Sequence, residues 1–283
     1  RLRFSLDAAA PPQAPTESVD DSLARAHAPG SHLQLTSTQK QTIKAIVNLF
    51  ETGAVLGRYG QVTLIPGDTG RLTYGRSQTT LSTGNLHALI DAYCRNPGAR
   101  FGSRLAPYLS RLANKEASVD TDRHLHNLLR ACADDRVMRE TQDEFFEQRY
   151  WVPAVRDADR LGVRTPLGMA VVYDSRIHGS WPAMRDRTTA AVGALSDCGE
   201  RVWIQAYVET RHAWLSGHAR ADLRATAYRM ESFRSLLAQG HWALPLPIVV
   251  RGAEISEASL SSTPSDSYDG PPPGSRALGL ASP

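Results

Sequence analysis

The chain has 283 residues, 41% of them hydrophobic, enough apolar material for one large or two small buried cores. A formal net charge of +3 suits an anionic polymer better than a polycation, and no basic, aromatic platform accompanies it, so a nucleic-acid partner is not expected. No run of about 18 apolar residues occurs, so no membrane span is expected either.

Residues 1–34 read as a flexible arm, rich in Ala, Pro, Ser and His without sustained periodicity. Their opening, Arg1 to Pro12, has an apolar stretch too short and too interrupted by charge for a clear signal peptide. From Leu35 to Phe50, the apolar residues Ile43, Ile46, Val47 and Phe50 recur at helical spacing, which predicts a helix closing at Glu51. Thr63-Leu64-Ile65 and Leu72-Thr73-Tyr74 are the candidate strands of a short hairpin. Helical patterns follow over 85–95, 122–133, 136–159, 166–178, 200–216 and 222–239, and no internal repeat is evident. The pattern predicts a mainly α domain over 35–255. Residues 256–283 turn Ser/Pro/Gly-rich and read as a linker, of the kind that commonly leads to a further module.

Three cysteines, Cys94, Cys132 and Cys198, are odd in number and widely spaced, and are expected as buried free thiols. The nine histidines form no HExxH and the cysteines no CxxC, so neither a metal site nor a cofactor is expected. A Gly-x-Ser-x-Gly nucleophile elbow is also absent.

The chemistry-bearing feature is a pair of carboxylates either side of a turn-rich connection. Glu51 stands at a helix C-terminus, where the dipole and flanking apolar side chains disfavour the ionised form and should raise its pKa toward that of a general acid. Asp68 stands in the polar loop Gly67-Asp68-Thr69-Gly70, where water and backbone N–H groups would keep it ionised. Two carboxyls with divergent pKa values can divide acid and base roles, the arrangement that glycoside hydrolysis needs. Taken singly, Glu51 reads as a helix cap and Asp68 as the holder of a tight turn. Asp174 lies in the apolar run Met169 to Tyr173 and, if buried, needs a cation. Arg71 and Arg76 either contact substrate or are solvated loop residues. Tyr59, Tyr74 and Trp181 are candidates to stack on sugar rings, whereas Trp203 and Trp214 fit the core better. His178 reads as a structural histidine.

These residues resemble glycoside hydrolase family 46, the chitosanases, within the lysozyme-like superfamily. The blocks that carry the resemblance are Glu51 with the Asp68 loop, Ser82-Thr83-Gly84-Asn85-Leu86, the helix from Thr141 to Val155, Val171 to Gly179, and Tyr207-Val208-Glu209-Thr210-Arg211. Together they run from about residue 35 to about residue 250. The resemblance implies a two-lobed lysozyme-like fold with a small β element at the cleft. It implies Glu51 as general acid, Asp68 as general base and Thr73 as the residue that positions the attacking water, with inversion at the anomeric carbon. It also nominates Arg211 and Arg224 as partners of Asp174. The expected activity is endo-hydrolysis of a β-1,4-linked amino-sugar polysaccharide outside the cell or at the cell wall, with Arg71, Tyr74, Arg76 and Asn85 as substrate contacts.

Two departures bear on substrate. Asn85 stands where the family has an aspartate that reads a glucosamine amine, and an amide forgoes the charge-assisted bond, roughly twice as strong as a neutral one. The loop arginine, Arg71, also comes one residue later than in the family. On these grounds peptidoglycan is the first expectation and chitosan the second; a non-catalytic glycan-binding module is the third, disfavoured because such a module has no need of both carboxylates.

Overall fold

The computed structural model describes residues 33–64, 70–76 and 78–264. Helix α1, Ser37–Thr52, opens on a capping box in which the Thr36 hydroxyl accepts from the Gln39 N–H and the Gln39 side chain accepts from the Thr36 N–H. It closes on Gly53, whose φ of 70° places it in the left-handed region and whose N–H returns to the Leu49 carbonyl at 3.1 Å. That stop leaves Glu51 in the last turn, as its sequence position predicts.

Three two-residue strands follow: β1 (Val62–Thr63), β2 (Thr73–Tyr74) and β3 (Thr79–Thr80), antiparallel in that order. Val62 pairs with Tyr74, and Thr73 with Thr80. The predicted hairpin is present with its first strand beginning one residue earlier, at Val62, while Ile65 lies outside the described residues; a third strand, which short polar Thr79-Thr80 does not advertise, extends it. Helix α2 (Asn85–Arg95) packs on this sheet, and the short helices α3 (Gly102–Leu105) and α4 (Leu109–Ala113) pack on α2. Helix α5 (Arg123–Ala131), capped by Asp122, leads into α6 (Arg136–Phe146), capped by Asp135.

The predicted long helix over 136–159 is present but not regular. A π-turn, Glu147–Trp151, separates α6 from α7 (Val152–Leu161). Pro153 has no N–H to give the carbonyl of Arg149, and the wider turn absorbs that lost bond. Along this rod the packing partner changes. Met138 belongs to a small core with Leu72, Tyr74, Leu89, Ile90, Leu125 and Leu129, whereas Phe146, Trp151, Ala154 and Ala158 belong to a large one. Two lobes joined by one helical rod are the result.

The large lobe wraps α8 (Pro166–His178), which is buried along almost its whole length and touches α1 and α7. Around it lie α9 (Trp181–Val192), α10 (Leu195–Cys198), α11 (Glu200–Ser216), α12 (Ala221–Arg224) and α13 (Tyr228–Ala238). The predicted single helix over 222–239 is broken between Arg224 and Tyr228, where the Thr226 hydroxyl donates to the Leu223 carbonyl at 2.6 Å. A hairpin, β4 (Ile248–Val250) with β5 (Ala253–Ile255), closes the lobe. Residues just past Ile255 are not linker: Ser256 caps α14 (Glu257–Leu260) with a second capping box, and α14 packs on α1. Most of the arm and residues 265–283 lie outside the described residues.

All three cysteines are free thiols, but only Cys132 is buried, which pushes its thiol up to about 12; Cys94 and Cys198 are half-buried. Among the described residues no helix is long and apolar enough to cross a membrane.

Candidate active site

Glu51 projects from the last turn of α1 with 14% of its side chain exposed, and its neighbour is not the purely apolar flank expected. The Arg229 guanidinium donates to Glu51 Oε1 at 2.6 Å through Nη2 and to Asp174 Oδ1 at 2.7 Å through Nη1. Asp174 in turn accepts from Arg211 Nη1 at 2.7 Å on its other oxygen. Arg211 continues to the Ser175 hydroxyl at 3.1 Å and, through Nη2, to His178 Nδ1 at 2.9 Å. Asp174 and Arg211 are fully buried, so each charge is neutralised only by the next one in the chain.

Burial alone would lower the Arg229 pKa, but the carboxylates of Glu51 and Asp174 outweigh it and raise the guanidinium above its ordinary value. His178 goes the other way. Burial and then the charges of Arg229 and Arg211 hold it well below the usual histidine range. A neutral ring with Nδ1 as acceptor is what the Arg211 contact requires.

The need of Asp174 for a cation was legible, and Arg211 meets it. The second arginine is Arg229, not Arg224: Arg224 is exposed and spends its guanidinium on the carbonyls of His218 and Ala219 at 2.6 and 2.8 Å. The missed signal is periodicity. Arg229 shares a stripe with the buried residues Met230, Phe233 and Leu236, whereas Arg224 has exposed neighbours at Ala221 and Ala225. Tyr150, in the π-turn, was also missed; burial raises its phenol pKa and the charge of nearby Glu51 adds to the effect.

Asp68 lies outside the described residues. Thr73, on β2, is 6% exposed and its hydroxyl donates to the Arg71 carbonyl at 3.0 Å. Asn85 is half-buried at the first residue of α2, where its N–H meets the Thr83 hydroxyl at 3.3 Å.

The other expected substrate contacts have partners within the protein or are buried. Arg71 forms an ion pair with Asp120 at 2.8 Å and donates to the carbonyls of Lys115 and Glu116 at 2.7 and 3.0 Å. Arg76 is buried against α6, paired with Asp143 at 2.9 Å. Tyr74 is wholly buried in the small core, so its ring has no face for a sugar. Tyr59 and Trp181 are buried too, Tyr59 donating to Asp143 and Trp181 packed on Tyr207 with ring centroids 5.2 Å apart. Trp203 is in the core as expected, and Trp214 lies half-buried against it. An open groove along α6, lined by Arg100, Arg136, Glu140 and Asp143, does not include Glu51.

Comparison with known proteins matches residues 45–248 to Glycosyl hydrolase family 46. A Chitosanase of Bacillus subtilis (strain 168) is 30% identical over 236 residues, covering 78% of this chain and 84% of the relative. Among solved structures, the native chitosanase from Bacillus subtilis MY002 superposes with a TM-score of 0.67 at 27% identity, over 77% of this chain and 96% of its own. A Gynuella sunshinyii chitosanase in complex with chitotetraose has a TM-score of 0.65 at 29% identity, over 78% of this chain and 98% of its own.

Proposed function

We propose that this chain, which belongs to glycosyl hydrolase family 46, hydrolyses the β-1,4 bonds of chitosan with inversion of configuration. It is a glycoside hydrolase; the substrate and the assignment of roles are our reading. The observation that carries the reading is Glu51, partly exposed at the end of α1 and held from behind by Arg229 at 2.6 Å. Such a carboxyl is accessible to a glycosidic oxygen yet fixed in position. Glu51 gives its proton to the leaving oxygen. Asp68 takes one from a water that attacks the opposite face of the sugar, and room for that water needs roughly 6.5–9.5 Å between the carboxyl groups. The Thr73 hydroxyl, its own proton engaged by the Arg71 carbonyl, presents its lone pairs to that water as an acceptor.

Relatives that are chitosanases support chitosan over peptidoglycan, the first expectation from the sequence. Asn85 then tunes rather than redirects specificity. It opens α2, where the helix dipole favours a negative charge, so Asn85→Asp fits the fold and supplies the charge-assisted bond to a glucosamine amine. We expect its kcat/KM on chitosan to rise by up to about tenfold, equivalent to about 1.4 kcal/mol.

The deciding experiment is reducing-end release from chitosan and from purified peptidoglycan side by side. Release from chitosan alone is expected. Release from peptidoglycan alone overturns the substrate reading.

A further inference from the structure

The β2–β3 hairpin is tied to the rest of the molecule by an unusual side chain. Arg76, just after β2, lies only 8% exposed with its guanidinium over the rings of Tyr59 and Phe146, 5.7 and 5.5 Å from their centroids. Its Nη1 meets Asp143 Oδ1 at 2.9 Å, and the Tyr59 hydroxyl donates to the same carboxylate at 2.8 Å. Its backbone N–H donates to Gln142 Oε1 at 2.9 Å, while Gln142 Nε2 donates to the Tyr59 carbonyl at 3.0 Å. Three segments therefore meet here: the connection after α1, the hairpin, and α6. The fit is tight. A Cβ on Gly57 would stand 2.2 Å from Arg76 Cγ, and one on Gly75 would stand 2.4 Å from Gln142 Oε1, at positions whose φ of 75° and 80° already favours glycine.

The chain that leaves this junction backward reaches Glu51 through α1, and the chain that enters the hairpin carries Thr73. We propose that Arg76 is a positioning residue: by clamping the hairpin to Tyr59 and to Asp143 of α6, it sets Thr73 relative to Glu51 and thereby the geometry of water attack. The inference rests on the reading of Thr73 above. A fork-shaped, planar cation suits the place because it can bond a carboxylate at its edge and cover two rings with its faces, which neither lysine nor an aliphatic side chain does. Asp143 is 46% exposed, so removing Arg76 leaves it with water rather than as a buried orphan, and the variants should fold.

The test uses Arg76→Leu, Arg76→Lys and Asp143→Asn in the whole chain, with amide hydrogen exchange and chitosan kinetics measured on each. Exchange at Gly75 and Leu81, whose N–H groups bond Gln61 and Leu72 at 2.8 Å, should rise about tenfold or more in Arg76→Leu, while α8 amides stay unchanged. The kcat should fall about ten- to a hundredfold with KM within about twofold, since misplacement by about 1 Å can cost a hundredfold. Arg76→Lys should recover part of the loss, and the Arg76→Leu, Asp143→Asn double variant should be no worse than the poorer single. Hairpin exchange within twofold of wild type overturns the proposal, and so does raised exchange with kcat within twofold, which marks Arg76 as structural only. If wild type leaves chitosan untouched, the functional reading fails on its own, and the exchange data alone decide whether Arg76 clamps the hairpin.

Discussion

In the large lobe Asp174 and Arg211 meet at 2.7 Å with neither side chain exposed, whereas in the small lobe Arg71 and Asp120 meet at 2.8 Å with 29% and 18% of their side chains exposed. The first pair has no solvent to fall back on. Its charges are satisfied only by one another, and removing Asp174, which Arg211 and Arg229 share, leaves two cations facing an uncompensated field. Arg71 and Asp120 can each be re-solvated, so the small lobe holds its strands by many replaceable contacts. The candidate acid thus sits at the exposed end of a buried network, and the hairpin that carries Thr73 sits on a more forgiving scaffold.

Variants that strike one lobe at a time can break or sharpen this contrast. The largest expected effect is on chemistry: Glu51→Gln keeps the shape and can still accept from Arg229, but cannot give a proton, so turnover should fall by about 10² to 10⁴. Turnover within about threefold of wild type would falsify Glu51 as the acid. Asp174→Ala comes next, leaving Arg211 and Arg229 facing each other without their shared carboxylate; a loss of about 3–5 kcal/mol in denaturant unfolding is expected. A loss under about 1 kcal/mol would show that the buried network does not depend on Asp174.

Arg71→Ala is the matched probe of the small lobe. Its ion pair is partly screened and its other partners are exposed carbonyls, so a loss of about 1 kcal/mol is expected. A loss as large as that for Asp174→Ala would erase the distinction between the lobes. The smallest effect is one of pH. Because the folded-state pKa of His178 is depressed, the unfolded chain binds the extra proton first as pH falls through about 6.5; stability is complete above that value and declines below it. A loss of stability between pH 7 and pH 6 is expected, and His178→Gln, which keeps an acceptor for Arg211, should lack this component. Equal pH dependence of the two proteins between pH 7 and 6 would mean that His178 is accessible to protons in the native state.

Glu51 in the last turn of α1, the need of Asp174 for a cation, and the sites of most long helices were legible because each depends on neighbours a few residues away. Helical periodicity, a glycine stop at Gly53 and a carboxylate amid apolar residues are local signals. The third strand and the α6–α7 irregularity were harder, since two-residue strands carry almost no period and a proline in a helical pattern does not announce how the backbone will absorb it.

What the amino-acid order determined is a mainly helical molecule with a glutamate at a helix end, and its resemblance to a known family added the two lobes and the hydrolytic role of that glutamate. Only the tertiary structure decided which arginine completes the network and which ones pair with other groups of the protein. Arg71, Arg76, Arg224 and Arg229 have the same intrinsic chemistry, and a long guanidinium side chain can reach water, a carbonyl or a buried carboxylate. Its fate is set by what α6, α8 and α13 bring within about 3 Å, and that depends on contacts between residues far apart in the chain.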